Sequence, residues 1–352
     1  MKTLKKLTSL TLALVLALSL AACGAAAPET TPSTTLPEIQ EQPQETQSQG
    51  MTLEDPGLVQ AKVSVLNGTT GFGMANLMDA AAKGEASLDY TFTVETDASN
   101  IVAGLINGSV DIAALPTNAA SAVYNKTQGG VQVLALNTLG VLYVVTDGSV
   151  TVESMADLAG KTVYAPAQNP TFIFQALCQA NGLENVTVDN TYAQPADLNA
   201  AVASGQVSIA VLPEPMVTVA RSQNPDLVVA LDLTAEWDKV YTPDSLVQGC
   251  VVVRTAFVQE HPEAVAMFLR EYEASIDTML SDVEGTSEKI QANGIFAKAP
   301  VAAKAIPNCN VCFITGAEMQ ASLSEFLTIM HGVAPASVGG AIPGDDFYCI
   351  LN

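Results

Sequence analysis

Five short stretches of the sequence carry polar side chains of the kind that bind a small molecule through hydrogen bonds. They are rich in Asn, Thr and Gln, whose amide and hydroxyl groups donate and accept, and Glu214 adds one carboxylate. For any one of these residues the alternative role is helix capping, which the same residue types perform routinely. The candidate ligand-binding residues are Asn67, Thr69, Thr70, Thr117, Asn118, Asn137, Thr138, Asn169, Thr171 and Glu214.

Stretches that resemble catalytic or cofactor-binding motifs do not have the spacing that those motifs require. Residues 159–162 imitate the end of a phosphate-binding loop, but Met155 stands where that loop requires its first glycine. The glycines of residues 68–73 do not have the spacing of a dinucleotide fingerprint. Neither His261 nor His331 has a candidate nucleophile near it in the sequence. The sequence therefore predicts a binding protein without catalytic residues, cofactor or metal.

The cysteines could be free thiols, form a disulfide or have a functional role. Five follow Cys23, and the pair Cys309-Asn-Val-Cys312 has the spacing of a redox motif or of half a zinc site. No thioredoxin-like unit surrounds this pair, and zinc would need two further ligands that isolated histidines do not supply. We expect free buried thiols, with a structural disulfide and a functional role as the alternatives.

The elements that would position the polar stretches alternate between strand and helix. Apolar, β-branched runs at residues 61–66, 111–115 and 208–212 predict buried strands, and helical patterns lie between them. This alternation predicts an α/β fold with mostly parallel sheets covered by helices on both faces. In open sheets of this kind a ligand binds beyond the carboxyl ends of the strands. The loops that qualify are residues 67–70, 116–118, 137–138, 168–171 and 213–215. Phe72 and Phe172, just beyond two of them, could supply flat walls or pack in the core.

An internal repeat predicts two related lobes. Residues 107–116 and 204–213 match at a constant offset, and each match reads as a helix end, a glycine, a buried strand and a proline. We predict a first lobe from residues 59–145 plus 247–352 and a second lobe from residues 146–246. Chain crossings near residues 141–146 and 246–253 would form a two-strand hinge, and the helices after residue 251 would pack on the first lobe.

The N-terminus predicts a lipoprotein signal peptide over residues 1–22. Lysines precede an apolar run at residues 7–20 that is too short to span a bilayer comfortably. Small residues then lead to Cys23, the pattern at which a bacterial lipoprotein is diacylated, although an ordinary signal peptide with a nearby cysteine is the alternative. Residues 23–58 are rich in Ala, Pro, Thr, Gln and Glu, and they predict the lipidated cysteine followed by a disordered tether.

The charge balance argues against a nucleic-acid partner. Without the three lysines of the signal segment, 11 of the 14 Lys and Arg residues remain against 36 Asp and Glu residues. Phosphate binding depends on clustered Lys and Arg, so this chain is expected to bind no nucleic acid.

Motifs in order along the chain also resemble a known family. They comprise Leu20 to Cys23, residues 104–124, residues 137–145, residues 157–162, Leu212-Pro-Glu-Pro215, residues 251–253 and residues 261–265. In these the sequence resembles the ABC-importer binding proteins grouped with the nitrate, sulfonate, taurine and thiamine-precursor receptors. The resemblance implies two Rossmann-like lobes joined by a hinge, the type II periplasmic-binding fold, with a solute held between them. It also implies an ABC permease and its ATPase as partners, a lipid anchor on the outer face of the cell membrane, and a monomer.

The ligand class is inferred from charge. No Lys or Arg occurs in the five loops, and a carboxylate at Glu214 would oppose a contacting anion by about 4 kcal/mol near a protein surface. A hydrogen-bond donor such as an aminopyrimidine would instead gain a charge-assisted bond. A small anion such as a sulfonate, taurine or nitrate is the alternative. Two further alternatives are an enzyme related to thiamine-pyrimidine synthesis, which would need a reactive histidine in the cleft, and a surface adhesin or scaffold.

Overall fold

The computed structural model describes residues 58–351. The predicted signal peptide, the lipidation site Cys23 and nearly all of the predicted tether lie outside this range. No helix within the described range is long and apolar enough to cross a membrane. The strands are β1 (Gln60–Leu66), β2 (Asp89–Glu95), β3 (Ile112–Pro116), β4 (Val131–Thr138), β5 (Leu142–Thr146), β6 (Thr162–Tyr164), β7 (Thr187–Asp189), β8 (Ile209–Pro213), β9 (Val228–Asp232), β10 (Gly249–Arg254) and β11 (Val311–Ile314).

Helices separate most of these strands, as the alternating sequence pattern predicts. They are α1 (Thr69–Phe72), α2 (Ala75–Ala82), α3 (Ala98–Asn107), α4 (Thr117–Thr127), α5 (Asn169–Ala180), α6 (Pro195–Ala203), α7 (Met216–Gln223), α8 (Leu233–Trp237), α9 (Thr255–Glu260), α10 (Pro262–Ser281), α11 (Val283–Ala292), α12 (Ala299–Ala305) and α13 (Gly316–Val333).

The first sheet has six strands in the order β11, β4, β10, β3, β1, β2. β1 is parallel to β2 and β3, while β10 lies antiparallel between β3 and β4. Because β3 and β4 both oppose β10, the strands β1 to β4 all run the same way, and only β10 and β11 run against them. This sheet and the helices packed on it are called the first lobe below.

The second sheet has five strands in the order β7, β6, β8, β5, β9. β6 is parallel to β7 and β8, whereas β5 is antiparallel to β8 and β9. All strands except β5 therefore run in one direction. This sheet and its helices are called the second lobe. The predicted α/β fold with two mostly parallel sheets is confirmed.

The internal repeat occupies equivalent places in the two sheets. Gly108 and Gly205 have φ angles of 79° and 72°, and each follows a helix and precedes a buried strand. This left-handed conformation strains residues that carry a Cβ atom, which explains glycine at both positions. The repeat is therefore a structural repeat of helix, turn and strand, one copy in each lobe.

The chain crosses between the lobes twice, within residues 139–141 and again through residues 245–248. At each crossing a backbone carbonyl oxygen accepts a hydrogen bond from a backbone N–H group. The donor is the residue directly after Pro116 or Pro213, the prolines that end the two copies of the repeat. Thr117 N donates to Gln248 O at 3.2 Å, and Glu214 N donates to Val141 O at 2.9 Å. The predicted lobe boundary after residue 145 needs correction, because β5 already pairs in the second sheet. The rest of the predicted division stays a prediction.

The carboxyl edges of the two sheets face each other across these crossings. Leu142 at the start of β5 pairs with Pro213 at the end of β8. Gly249 at the start of β10 pairs with Pro116 and with Thr138, the last residues of β3 and β4. Because so few residues separate β4 from β5, the ends of β3, β4 and β8 are held near one another. The loops that follow these strands therefore point toward the space between the lobes.

One hydrophobic core is shared by both lobes. It contains Leu115 and Leu136 of the first sheet together with Val144 and Val211 of the second. α13 lies on this core and packs against both α4 and α5. The sequence predicted that α13 packs on the first lobe alone, and the structure corrects this. α13 reaches both lobes through a stripe of buried residues at helical spacing, namely Met319, Leu323, Phe326, Leu327 and Met330.

The opposite faces of the two sheets have separate cores. That of the first lobe includes α2 and α10, and that of the second lobe lies between its sheet and α6 and α7. Phe72 is 0% exposed in the core of the first lobe, so its ring packs in the interior. The lobes are thus continuous on one face and separately packed on the other.

Candidate functional site

The loops at the facing carboxyl edges are in direct contact. Thr69 follows β1 in the first lobe, and its hydroxyl donates to the backbone oxygen of Glu214, which follows β8 in the second, at 2.9 Å. Thr69 is buried, and its hydroxyl also lies 3.9 Å from the Cys309 thiol. Two loops predicted from sequence to share a site therefore meet between the lobes.

Two buried asparagines of these loops have an oxygen atom without a hydrogen-bond partner. Asn118 lies in the first turn of α4 and Asn169 begins α5, so the two come from opposite lobes. Their side chains are 8% and 9% exposed, and neither Oδ1 atom has a donor among the described residues. Leaving a buried polar atom unpaired costs about 1–3 kcal/mol, so native proteins rarely tolerate it without a reason.

A third unpaired atom, Thr234 Oγ1, lies where the chain crosses between the lobes. A Cβ atom at Gly140 would clash with this hydroxyl and with Leu246, so glycine is required at the first crossing. Three unpaired polar atoms thus come from the interlobe edge or its crossing point.

Other candidate residues have structural partners instead. Thr117 Oγ1 donates to Val247 O at 2.8 Å and ties α4 to the second crossing. Thr171 Oγ1 donates to Pro166 O at 2.7 Å and fixes the loop that leads into α5. These hydroxyls hold the loops in place, and because each hydrogen already has a protein acceptor, neither is free to donate to a ligand.

The remaining candidates fall at the ends of β1 and β4. Asn137 Nδ2 donates to Thr70 O at 3.1 Å, and Thr138 Oγ1 donates to Asn137 Oδ1 at 3.1 Å. Both Asn137 and Thr138 are 1% exposed. Asn67 is exposed, and its backbone N–H donates to Glu95 O at 2.9 Å. The structure therefore joins the ends of β1 and β4 through Asn137, while Asn67 lies at the surface.

The Glu214 side chain turns toward its own helix. Its carboxylate accepts from Thr218 N at 3.1 Å and from Thr218 Oγ1 at 3.0 Å, which caps α7. Burial raises the pKa of this carboxyl above its ordinary value, although the two Thr218 bonds and the charge of Arg221 act in the opposite direction. The capping role that the sequence left as an alternative is therefore present.

A groove of about 480 Å³ runs between the lobes on the faces that have separate cores. It is bounded by α7 and β5 of the second lobe and by residues 304–308 of the first. Tyr143 OH donates to Asn308 O across this groove at 3.0 Å. Apart from Glu214, the lining of this groove was not predicted from the sequence, because its residues come from segments far apart in the chain. Its principal polar and charged lining residues are Tyr143, Glu214, Thr218, Arg221, Lys304 and Asn308.

The cysteines of the described range are free thiols. Cys309 packs in the core of the first lobe and Cys312 against the shared core, so the two side chains lie on opposite faces of the first sheet. Burial raises the pKa of Cys312 to about 12, which leaves an unreactive thiol. Within residues 58–351 no group of three or more His, Cys, Asp or Glu side chains could hold a metal ion.

The two histidines lie outside the interlobe loops. His261 immediately precedes α10 and its ring packs 5.2 Å from the ring of Phe257. His331 lies in the last turn of α13, with Nε2 at 3.3 Å from Gly340 O. The reactive histidine that an enzyme at this cleft would need is therefore not supplied by either residue.

A family model described as NMT1/THI5-like matches residues 74–285, more than half of the chain. No curated protein sequence matches the chain significantly.

Solved structures of similar fold include an ABC transporter protein and two sulfonate-binding proteins. An ABC transporter protein from Parabacteroides distasonis superposes with a TM-score of 0.71 at 22% identity, covering 83% of this chain and 99% of that one. The periplasmic aliphatic sulphonate-binding protein SsuA from Escherichia coli superposes with a TM-score of 0.64 at 15% identity, covering 80% and 96% of the two chains. The alkanesulfonate-binding protein SsuA from Xanthomonas axonopodis pv. citri, bound to MOPS, gives a TM-score of 0.60 at 12% identity over 82% and 96%. At these identities the similarity is one of fold.

Proposed function

This chain belongs to the NMT1/THI5-like family, and from that premise we propose that it is the extracytoplasmic solute-binding component of an ABC importer. It holds a small polar solute between its two lobes and delivers it to a permease driven by an ATPase. The fold it shares with an ABC transporter protein and with two sulfonate-binding proteins supports this role. The proposal is for a receptor and not an enzyme.

The observation that carries the proposal is the pair of unpaired oxygens on Asn118 and Asn169. Each is buried at the N-terminus of a helix of at least 11 residues, one in each lobe, at the edge where the sheets face each other. A solute that donates hydrogen bonds to both oxygens would remove two desolvation costs of about 1–3 kcal/mol each. Such a solute would favour the closed arrangement, because only there do the two lobes contribute together.

The solute class that this chemistry favours is a neutral or cationic nitrogen compound. Acceptor atoms require N–H or O–H groups on the ligand, and the five loops contain no Lys or Arg to hold an anion. An aminopyrimidine of the thiamine-precursor type has donors of this kind. A small anion such as a sulfonate, taurine or nitrate is the competing ligand class.

In this proposal the remaining candidate residues have structural roles. Thr69 and Glu214 join the lobes, while Thr117, Thr138, Thr171 and Asn137 hold the loops that carry the contacts. The proposal also includes acylation of Cys23, a lipid anchor on the outer face of the membrane, and action as a monomer.

Binding and mutagenesis together test the proposal. A native mass spectrum of freshly purified protein should reveal a bound small molecule. Saturation at about 100 times the dissociation constant adds about 2.7 kcal/mol to the free energy of unfolding, which a melting experiment detects. We expect a hydroxymethyl aminopyrimidine to raise the melting temperature and ethanesulfonate, taurine and nitrate to leave it unchanged.

Asn199 supplies the matched control. Its Oδ1 atom is also buried and unpaired, but it lies in α6, away from the facing edges. Asn118→Ala and Asn169→Ala should each weaken solute binding at least about tenfold, the equivalent of about 1.4 kcal/mol, whereas Asn199→Ala should not. Equal affinities for all three variants would contradict the assignment of the site, and turnover of the bound solute would contradict the receptor role.

A further inference from the structure

An Asn-Gly pair lies in the loop after β1, at the edge where the lobes meet. It consists of Asn67 and Gly68, and three further Asn-Gly pairs begin at Asn107, Asn181 and Asn293. In such a pair the glycine nitrogen can attack the side-chain amide of the asparagine, because glycine has no Cβ atom and its backbone rotates freely. The local structure therefore decides which of the pairs reacts in the folded chain.

At the other three pairs the asparagine lies at the C-terminal end of a helix, and a hydrogen bond holds its side chain. Asn107 Oδ1 accepts from Ser109 N at 2.9 Å. Asn181 Nδ2 and Asn293 Nδ2 each donate to the backbone oxygen four residues earlier, at 2.8 Å and 2.9 Å. Each of these side chains must be released before its Cγ atom can turn toward the glycine nitrogen.

The Asn67 side chain needs no such release. It is exposed between β1 and α1, and it forms no hydrogen bond with another described residue. Gly68 has φ and ψ angles of 90° and −160°, a region that glycine alone occupies readily. The Gly68 N–H donates to Ile295 O at 3.1 Å, and this bond must open before the nitrogen reacts. The glycines of the other three pairs also donate to backbone oxygens, so the free side chain is what distinguishes Asn67.

We propose that Asn67 is a site of spontaneous modification, at which isoaspartate forms and breaks a contact between the lobes. The Gly68 nitrogen attacks Asn67 Cγ, loses its proton to water and expels ammonia, which closes a succinimide ring. A water molecule then opens the ring. Cleavage of the bond from the Gly68 nitrogen to the main-chain carbonyl carbon of residue 67 gives isoaspartate, and cleavage of its bond to Cγ gives aspartate. The net reaction consumes water and releases ammonia.

Isoaspartate lengthens the main chain by a carbon atom just before Gly68 and Thr69. A carbon–carbon bond spans about 1.5 Å. The Thr69 hydroxyl donates to Glu214 O at 2.9 Å, and bonds of this kind weaken beyond about 3.0 Å, so isoaspartate breaks this contact. Aspartate keeps the main chain and the contact, and it adds only an exposed charge. The modification itself does not depend on the proposed function, whereas its effect on solute binding does.

Peptide mapping by mass spectrometry compares the four pairs within one sample of the native full-length chain, incubated in mildly alkaline buffer. We expect Asn67 to undergo the exchange of amide for acid about two- to tenfold faster than each of the other three, the factor that release of one hydrogen bond gives. In urea the four rates should converge, because no structure then holds any of the side chains. Asn67→Gln, which would need a larger ring, should stay unmodified at this position.

The effect on the lobes is measured on the isoaspartyl form, purified by ion exchange. An endoprotease specific for aspartate identifies this form by its failure to cut at position 67. Asn67→Asp is the matched control, since it adds the charge without lengthening the main chain. We expect a larger radius of gyration in small-angle scattering for the isoaspartyl form and the native radius for Asn67→Asp.

Equal rates at the four folded pairs, or a lead of Asn67 that persists unchanged in urea, would overturn the assignment of the site. An isoaspartyl form with the native radius would overturn its effect on the lobes. If a hydroxymethyl aminopyrimidine binds neither the native nor the modified chain while Asn67 reacts first and the radius grows, the solute class of the proposed function fails and the modification site stands.

Discussion

The Thr69 hydroxyl of the first lobe donates to the Glu214 carbonyl oxygen of the second lobe across 2.9 Å. The two residues are 145 positions apart in the chain. Their contact joins the loop after β1 to the loop after β8, and Tyr143 to Asn308 makes a second bond between the lobes. The two lobes are therefore in contact on the groove side through neutral hydrogen bonds.

Thr69→Val should loosen this contact between the lobes. Valine has nearly the same shape as threonine but lacks the hydroxyl, so the closed form loses about 0.5–1.5 kcal/mol. We expect a larger radius of gyration without ligand and an apparent solute affinity about two- to tenfold lower. Thr278→Val is the control, because its exposed hydroxyl bonds only within α10. Unchanged radius and affinity in Thr69→Val would mean that this bond does not contribute to closure.

Ser245→Ala should destabilise the core that the lobes share. The Ser245 hydroxyl accepts from Trp237 Nε1 at 2.8 Å, and both residues are buried. Alanine leaves the indole N–H without an acceptor, at a cost of about 1–3 kcal/mol in the free energy of unfolding. Urea denaturation followed by tryptophan fluorescence measures this directly, since Trp237 is the only tryptophan of the chain. Ser281→Ala, at an exposed helix end, should change stability by no more than about 0.5 kcal/mol.

Glu214→Gln should alter how stability depends on pH. Burial raises the pKa of Glu214 in the folded chain above the ordinary 4.5, so the folded state binds this proton more tightly than the unfolded state does. Stability from this group is therefore full below the ordinary pKa and is lost as the pH rises through the raised value. Glutamine removes that loss, so the variant should gain stability over the native chain as the pH rises above about 4.5. Urea unfolding at several pH values tests the sign, with exposed Glu288→Gln as the control.

Cys23→Ala should abolish lipid attachment. The pattern from Leu20 to Cys23 predicts that the thiol of Cys23 carries the diacyl group. The native full-length chain should partition into detergent, and the variant should remain in the aqueous phase. Intact-protein mass spectrometry provides the measurement, and a lipid mass that persists in the variant would refute the assignment.

Features that depend on residues close together in the chain could be predicted from the sequence. The repeat of residues 107–116 at residues 204–213 identified corresponding strands of the two sheets, because helix ends, glycine turns and buried strands leave patterns over a few residues. The loops at the strand ends followed from the rule that parallel strands carry their ligand sites at the carboxyl edge. Asn118 and Asn169 were among the residues selected in this way.

Features that depend on packing between distant parts of the chain could not be predicted from the sequence. β5 was assigned partly to the first lobe, because an apolar run of five residues does not reveal which sheet it joins. α13 has an amphipathic pattern that predicts a buried face but not that both lobes share it. Arg221, Lys304 and Tyr143 meet at the groove only through the way the lobes pack, and no spacing in the sequence relates them.

The position of α13 makes separation of the lobes more costly on one face than on the other. Parting the lobes on its face would bring Trp237 and Phe326 of the shared core into water, at roughly 1.5–3 kcal/mol for each large side chain. On the other face, parting them breaks neutral hydrogen bonds at a net cost of about 0.5–1.5 kcal/mol each. In the proposed receptor, the solute therefore enters and leaves the cleft past α7 and α12.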